Sequence, residues 1–179
     1  MDVAWLNKKA KFKEDTAVAD RLAELQSLLD ETVKSFRRIL SDLRPVLIDD
    51  VGLEAAMEWH IQEFGRKNSI KTNFIVHLQE TDYPENISLP LFRILQESLN
   101  NISKHANAKN IIVSMIQEGR NIEFTIVDDG IGFDIKQIKD KRSFGIMGMK
   151  ERVTITGGRF EVTSIQNQGT TIKVNIPIK

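Results

Sequence analysis

The stretch from Val127 to Phe133, Val-Asp-Asp-Gly-Ile-Gly-Phe, constrains the fold of this chain most strongly. It follows Ile122 to Val127, where apolar and polar residues alternate as in a half-buried strand. Carboxylates and glycines at the end of a strand place charge and close-packed backbone at the rim of a sheet, where ligands often bind. The stretch is therefore either an ordinary Asp-Gly turn or one wall of a nucleotide pocket.

Composition excludes several classes of protein. The 179 residues carry 25 basic and 25 acidic side chains, so the formal charge is zero and neither nucleic acid nor an anionic membrane is a favoured partner. The absence of cysteine excludes disulfides and fits a reducing compartment, and three widely spaced histidines argue against a zinc site. No apolar run could span a bilayer and no signal peptide is present, so we expect a cytoplasmic chain whose parent protein could be membrane-anchored.

The front of the chain is predicted to be one long helix from Asp15 to Leu43. Its apolar seam, spaced as in a coiled coil or helix bundle, consists of Leu22, Leu25, Leu29, Thr32, Phe36, Ile39 and Leu43. The helix should end at Arg44-Pro45, because proline disfavours the α conformation in the residue before it. A single helix cannot bury this seam, so its partner is expected to be Met1 to Phe12, a second copy of the chain, or both.

A mixed α/β arrangement is predicted behind this helix. The pattern indicates an amphipathic helix from Asp49 to Lys67 and a strand from Ile70 to Leu78. We place the boundary around Arg66 to Ser69, which divides the chain into a helical front, 1–66, and a second domain, 67–179.

The next predicted helix carries polar residues of several kinds on one face. Tyr83 to Asn86 is expected to be a loop, with Ser88 as the N-cap and Pro90 in the first turn of the helix. Its apolar stripe is Leu91, Leu95, Leu99 and Ile102. Its opposite face gathers Arg93, Glu97, Asn100, Asn101, Lys104 and His105, which by itself is typical of a solvated surface.

The rest of the chain is predicted to form strands around a second glycine-rich segment. Strands are expected at Ile111 to Ile116, Ile122 to Val127, Arg159 to Ile165 and Thr170 to Ile176. The charged segment from Phe133 to Arg142 has no apolar period and is expected to be mobile. In Ser143 to Met149, glycines are expected just ahead of a helix that ends near Thr156.

Four clusters follow one another in an order that suits an adenine nucleotide. They are Glu97 with Asn101, Lys104 and His105; Asp128 with Gly130 and Gly132; Gly145 with Gly148; and Gly169 with Thr170. A buried carboxylate such as Asp128 accepts a hydrogen bond from the exocyclic amine of adenine, whereas guanine presents a carbonyl there. Gly130 and Gly132 would let backbone and base come close. Asp129 is expected to be no more than a turn residue.

The first cluster could serve the phosphates. Mg²⁺ keeps several waters beside phosphate oxygens, so the single amide oxygen of Asn101 suits it. Glu97, one turn earlier, could accept a proton from the group that attacks the γ-phosphate. Lys104 and His105 could donate toward phosphate, although His105 could equally be a helix-end histidine without a role in catalysis. The helix behind Gly145 to Gly148 would favour anions at its first turn.

The known ATP-binding signatures narrow the architecture. Neither a Walker loop nor the signatures of eukaryotic protein kinases occur. The chain instead resembles the catalytic end of sensor histidine kinases of the Bergerat (GHKL) type, in the subgroup of the nitrate-response, degradative-enzyme and membrane-fluidity kinases. The matching segments are Leu95 to Ala106, Asp128 to Phe133, Gly145 to Arg152, Gly169 to Pro177, and Ser41 to Pro45 with Asp49 to Leu53.

This resemblance implies a fold, cofactors and residue roles. The fold would be an α+β sandwich, a mixed sheet with helices on one face, preceded by a helical segment of a dimerisation hairpin. ATP and Mg²⁺ would bind, with Asp128 on adenine, Asn101 on the metal and Glu97 as the catalytic acidic residue. Gly145, Gly148 and Met149 would form the ATP lid and its hinge, and Thr170 would lie near the nucleotide. The partners would be a second copy of the chain, a phosphoacceptor-histidine domain and a response regulator.

One feature departs from the subgroup. Its phosphate-accepting histidine lies in a Leu-His-Asp motif, which this sequence lacks, and His60 and His77 lie in unrelated surroundings. We therefore expect a fragment that begins after the acceptor and cannot phosphorylate itself. The competing interpretations are another GHKL-type ATPase, an anti-sigma serine kinase, or a dimerising pseudo-kinase without catalysis.

Overall fold

A computed structural model describes residues 46–79, 83–134 and 143–178, together with Arg21, Glu24, Leu25, Leu28 and Leu29. The elements in chain order are α1 (Val46–Asn68), β1 (Lys71–His77), α2 (Glu85–Asn101), a π-helical turn (Ile102–Ala106), β2 (Asn110–Glu118), β3 (Asn121–Asp128), α3 (Ser143–Ile155), β4 (Arg159–Ile165) and β5 (Gly169–Pro177).

The strands form one mixed sheet in the order β1-β2-β3-β5-β4. β1 and β2 are parallel, since α2 lies between them in the chain and can return it across the sheet, while the other neighbouring strands are antiparallel. The predicted α+β sandwich with a mixed sheet is therefore confirmed.

One face of the sheet is buried and the other is partly exposed. Strand alternation puts neighbouring residues on opposite faces, so Ile111 is 1% exposed and Ile112 is 45% exposed. The predicted apolar stripe of α2 is buried in the same core as the inner face of the sheet. None of the described helices is long and apolar enough to cross a membrane.

The helix α1 packs into the core of the sheet domain. Of its predicted inner side chains, Leu53, Ala56 and Met57 are buried there, and Phe64 is partly buried against the same core. Gly52 interrupts the helix with φ 81° and ψ 168°, a conformation that is accessible mainly to glycine. The chain divides into compact units Met1–Val46 and Leu47–Lys179, and α1 from Leu47 onward belongs to the second because its apolar face joins the same core. The domain boundary around Arg66 to Ser69 stays a prediction.

Parts of two predictions lie outside the described residues. The long front helix is described at only five residues, which are all helical. Its other residues, its end at Arg44-Pro45 and Met1 to Phe12 are not described. The same applies to residues 135–142 of the polar segment that was expected to be mobile.

The helix α2 begins earlier than its sequence suggests. It starts at Glu85, so the expectation of a loop through Asn86 and of a cap at Ser88 was wrong. The amides of Ile87 and Ser88 both donate to the carbonyl of Pro84, at 2.8 and 3.0 Å, and Pro90 lies inside the helix. Burial of Ile87 and Ser88 stabilises this additional turn, and burial is a tertiary effect that local capping signals do not report.

Candidate functional site

A cavity of about 460 Å³ lies within the unit Leu47–Lys179, between the sheet and helices α2 and α3. Apolar side chains from both layers line most of it, among them Ile126, Ile146, Val162 and Ile172. Ligand sites for small molecules commonly enclose about 300–1,000 Å³ and combine apolar walls with few polar groups. The cavity has the size and lining of such a site.

The end of α2 and the π-helical turn bring polar residues to this cavity. Asn101 closes α2, and Asn107, with φ 51°, ends the turn. π-Helical turns recur at functional sites because they displace side chains from the regular α-helical spacing. Asn101 and His105 line the cavity, whereas Lys104 is exposed and does not.

Strand alternation places Asp128 inside the cavity. It follows Ile122, Phe124 and Ile126 on the buried face of β3 and is itself 5% exposed. Its Oδ1 accepts a hydrogen bond from the amide of Gly130 at 2.9 Å. Burial raises the pKa of Asp128, and hydrogen bonds from Gly130 and Thr170 partly oppose that rise.

Asp129 lies on the other side of the strand end and is exposed. Its Oδ1 accepts from the amides of Lys109 and Asn110, both at 2.8 Å, and its Oδ2 accepts from Nδ2 of Asn110 at 2.6 Å. Hydrogen bonds from the side chain and the amide of Asn110 lower the pKa of Asp129. The expectation that Asp129 is only a turn residue was therefore wrong.

The glycines after Asp128 permit two close backbone contacts. A Cβ on Gly130 would collide with the carbonyl of Ala106, and a Cβ on Gly132 would collide with that of Ile165. Gly132 also has φ 54°, which side chains other than hydrogen disfavour. Gly132 lines the cavity and Gly130 does not, so Gly130 serves the contact between the strand end and the π-helical turn.

Helix α3 packs directly on the polar face of α2. Gly145 and Gly148 lie inside α3, which begins at Ser143, so the expectation that they precede the helix was wrong. A Cβ on Gly145 would collide with Oε1 of Glu97 and would lie 3.6 Å from Nδ2 of Asn101. A side chain at position 145 would therefore displace the carboxylate end of Glu97, which explains a glycine here despite its poor helix propensity.

The buried side chain of Met149 holds α3 against α2. It is fully buried, and the hydroxyl of Ser98 lies 3.6 Å from its sulfur. In this structure Met149 anchors the helix that was expected to form a lid.

Thr170 and Ser164 connect the last two strands to the cavity. Thr170 of β5 pairs with Asp128 of β3 in the sheet register and lines the cavity. The Oγ atoms of Ser164 and Thr170 are 3.0 Å apart, and the amide of Phe133 donates to Oγ of Ser164 at 2.9 Å. This network holds the loop after Asp128 against the β4–β5 hairpin.

A family model described as "Histidine kinase-, DNA gyrase B-, and HSP90-like ATPase" matches residues 86–179, which include all the residues that line the cavity. The chain belongs to this ATPase family. The family match concerns the ATPase domain, and it does not by itself say which group would accept a phosphoryl group.

Two relatives of this ATPase are sensor kinases. The signal transduction histidine-protein kinase/phosphatase DegS of Brevibacillus brevis is 34% identical over 158 residues, covering 88% of this chain and 40% of DegS. The sensor histidine kinase LiaS of Bacillus subtilis is 31% identical over 164 residues, covering 92% of this chain and 45% of LiaS. The chain thus spans less than half the length of these curated relatives. The resemblance to sensor histidine kinases is confirmed.

Solved structures share the fold. The histidine kinase domain of the blue-light activated histidine kinase from Erythrobacter litoralis gives a TM-score of 0.59 at 20% identity, over 73% of this chain and 68% of that one. The histidine kinase AdeS of Acinetobacter baumannii gives 0.58 at 10% identity, over 97% of this chain and 92% of that one. At these identities the comparison supports the fold alone.

The cavity of this ATPase domain collects about half of the site residues predicted from the sequence. Lining it are Asn101, His105, Asp128, Gly132, Met149 and Thr170. Outside the lining are Glu97, Lys104, Gly130, Gly145 and Gly148. Sequence reasoning missed Ser98 and apolar wall residues such as Ile126, Val162 and Ile172, since these read as ordinary helix or strand positions. Only the packing of α2 on the sheet and the neighbouring placement of β3, β5 and β4 bring them to the site.

The polar side chains near the cavity suit a metal ion that binds together with the phosphates of a nucleotide. Among the described residues no group of three or more acidic or histidine side chains could hold a metal ion. Mg²⁺ takes few protein oxygens when phosphates supply others, and Asn101 could contribute one such oxygen. When bound, the ion would neutralise phosphate charge. Glu97 lies beside Asn101, in contact with α3.

The two adjacent acids should affect stability with opposite dependence on pH. The pKa of Asp128 is raised, so its ionisation costs folding free energy as pH rises from the ordinary value near 4 through the raised pKa. Asp128→Asn should therefore gain stability relative to the unchanged chain over that range. Asp129 is the matched control. Its pKa is lowered, so Asp129→Asn should lose relative stability as pH rises through the range below about 4.

Urea unfolding of the three nucleotide-free proteins, from about pH 3 to about pH 7, would measure both differences. Parallel pH profiles for the two variants would contradict the opposite environments of these carboxylates.

Proposed function

We propose that this chain is the ATP-binding catalytic part of a sensor histidine kinase, which presents the γ-phosphoryl group of ATP to a histidine outside the chain. The observation that carries the proposal is the buried Asp128 carboxylate in an apolar cavity that Asn101 and His105 also line. An apolar slot with one buried acceptor suits a flat base that donates from an amine, and adenine is such a base. The family assignment and the relatives DegS and LiaS support the same function.

Each predicted residue has a role in this proposal. Asp128 accepts from the adenine amine, with Gly130 and Gly132 allowing the approach of backbone and base. Thr170 lies beside Asp128 at the adenine end. Asn101 holds Mg²⁺, and Lys104 and His105 donate toward phosphate. Gly145, Gly148 and Met149 form the lid over the phosphates and its hinge.

Transfer itself requires mainly placement and charge stabilisation. The bond between the γ-phosphorus and the bridging oxygen breaks and leaves ADP, while a bond forms between phosphorus and an imidazole nitrogen of the acceptor. Glu97 orients that imidazole and takes the proton from its other ring nitrogen, since the attacking nitrogen uses its lone pair. The position of Glu97 one helical turn before Asn101 supports this role.

Calorimetric titration with Mg-ATP tests the assignment of the site. The unchanged chain should bind ATP more tightly than GTP, because the guanine carbonyl would face the Asp128 carboxylate. Asp128→Asn should weaken ATP binding by about tenfold or more, since an amide is a weaker acceptor than a carboxylate. Glu161→Gln, which removes an exposed carboxylate on β4, is the control and should bind normally. Equal affinity of Asp128→Asn and the unchanged chain would refute the adenine assignment.

The chain alone should not acquire phosphohistidine. His60 packs against Phe92 with ring centroids 5.5 Å apart, and burial lowers the pKa of His60, as suits a structural histidine. His77 lies on β1, on the exposed side. Incubation with labelled Mg-ATP should therefore leave no acid-labile label on the protein. Label on His60 or His77 would contradict an acceptor outside the chain.

A homodimer through the front helix is part of the proposal. Leu25 and Leu29 of the predicted seam are helical and remain 54% and 49% exposed, an unusual amount for leucines at seam positions. Sedimentation velocity should detect a dimer that Leu25→Asp dissociates, because a charge in the seam would be desolvated, while Leu25→Met retains it. A monomer at all concentrations would exclude this seam as the interface.

The remaining partners follow from the proposed reaction. The acceptor histidine lies on a phosphoacceptor domain, and a response regulator takes the phosphoryl group from it. The chain would act in the cytoplasm, where ATP is available.

A further inference from the structure

Two segments that line the cavity are joined at one corner. The first is the π-helical turn with the residues that follow it, up to Asn110 at the start of β2. The second is the end of β3 from Asp128 to Ile131. The amide of Ile131 donates to the carbonyl of Ala106 at 2.7 Å, and Gly130 packs against that same carbonyl.

The side chain of Asp129 makes further contacts at this corner, beside a backbone hydrogen bond of 3.3 Å from its own amide to the carbonyl of Asn110. It accepts two amide hydrogen bonds, from Lys109 and Asn110, and one from the Asn110 side chain. Both oxygens are used, so the carboxylate is held in one orientation. Hydrogen bonds to an ionised acceptor are shorter and stronger than neutral ones, and the Oδ2 contact of 2.6 Å is short.

The consequence for the cavity follows from the chain connections. Asp128 is bonded directly to Asp129, and the turn that carries His105 and Ala106 leads within four residues to Asn110. The contact between Asp129 and Asn110 therefore limits how far the adenine end of the cavity can move from the wall that carries Asn101 and His105. A nucleotide has to contact both walls at once.

We propose that Asp129 is a positioning residue for the nucleotide: through Asn110 it holds the Asp128 strand end and the π-helical turn at the separation that ATP requires. The inference rests on the proposed function, since it takes the cavity to be the ATP site. Asp129 itself does not line the cavity and needs no contact with ATP.

Exchanging the side chains of Asn110 and Asp129 tests this positioning role. In Asp129→Asn, the ionised acceptor is lost, and the Asn110 amide has to turn over before its Oδ1 can accept from the new amide group. In Asn110→Asp, two carboxylates oppose each other. The double variant Asn110→Asp/Asp129→Asn restores a donor opposite an acceptor in reversed order. Each single variant should bind Mg-ATP about threefold to tenfold more weakly, and the double variant should return to within about twofold of the unchanged chain.

A matched control variant and the unchanged chain distinguish failure of the positioning role from failure of the proposed function. Glu118→Gln removes an exposed carboxylate at the far end of β2 and should leave the affinity unchanged. Normal affinity in both single variants, or no recovery in the double variant when circular dichroism shows all of them folded, would overturn the positioning role. If a single variant does not fold, the double variant must still bind within about twofold of normal. Failure of the unchanged chain to bind Mg-ATP would instead contradict the proposed function.

Discussion

Burial of the Asp128 carboxylate between the sheet and its helices organises the rest of the site. Removing a carboxylate from water is costly, and the hydrogen bonds from Gly130 and Thr170 only partly offset the effect of burial on its pKa. Asp128 is nevertheless buried at the end of β3, whose inner face is otherwise apolar. A ligand that donates a hydrogen bond there recovers some of that cost, which explains how one carboxylate can select a base.

Three glycines allow the segments around the cavity to approach one another closely. Gly130 meets the carbonyl of Ala106, Gly132 meets that of Ile165, and Gly145 meets the carboxylate of Glu97. At Gly130 and Gly132 even one methyl group would collide with backbone, whereas at Gly145 it would displace the end of the Glu97 side chain. These glycines, which stand out in the sequence, mainly determine how closely neighbouring segments approach. Of the three, only Gly132 lines the cavity.

Adjacent acids at the end of β3 acquire opposite roles from the geometry of the strand. Successive side chains point to opposite faces, so Asp128 enters the cavity and Asp129 turns toward the start of β2. Burial raises the pKa of the first, and hydrogen bonds lower that of the second. One acid thus lines the cavity, while its neighbour accepts hydrogen bonds from Lys109 and Asn110.

The sequence by itself determined the elements whose signals are local. Alternation with a period of two identified β2 to β5, helical spacing identified α1 and α2, and the nature and order of Glu97, Asn101 and Asp128 indicated nucleotide chemistry. Only the tertiary structure decided where α2 begins, that Gly145 and Gly148 lie inside α3, that α1 shares the core, and that Asp129 holds Asn110. The physical reason is that each of these depends on contacts between segments distant in the chain, and a local pattern carries no information about which distant surface will bury it.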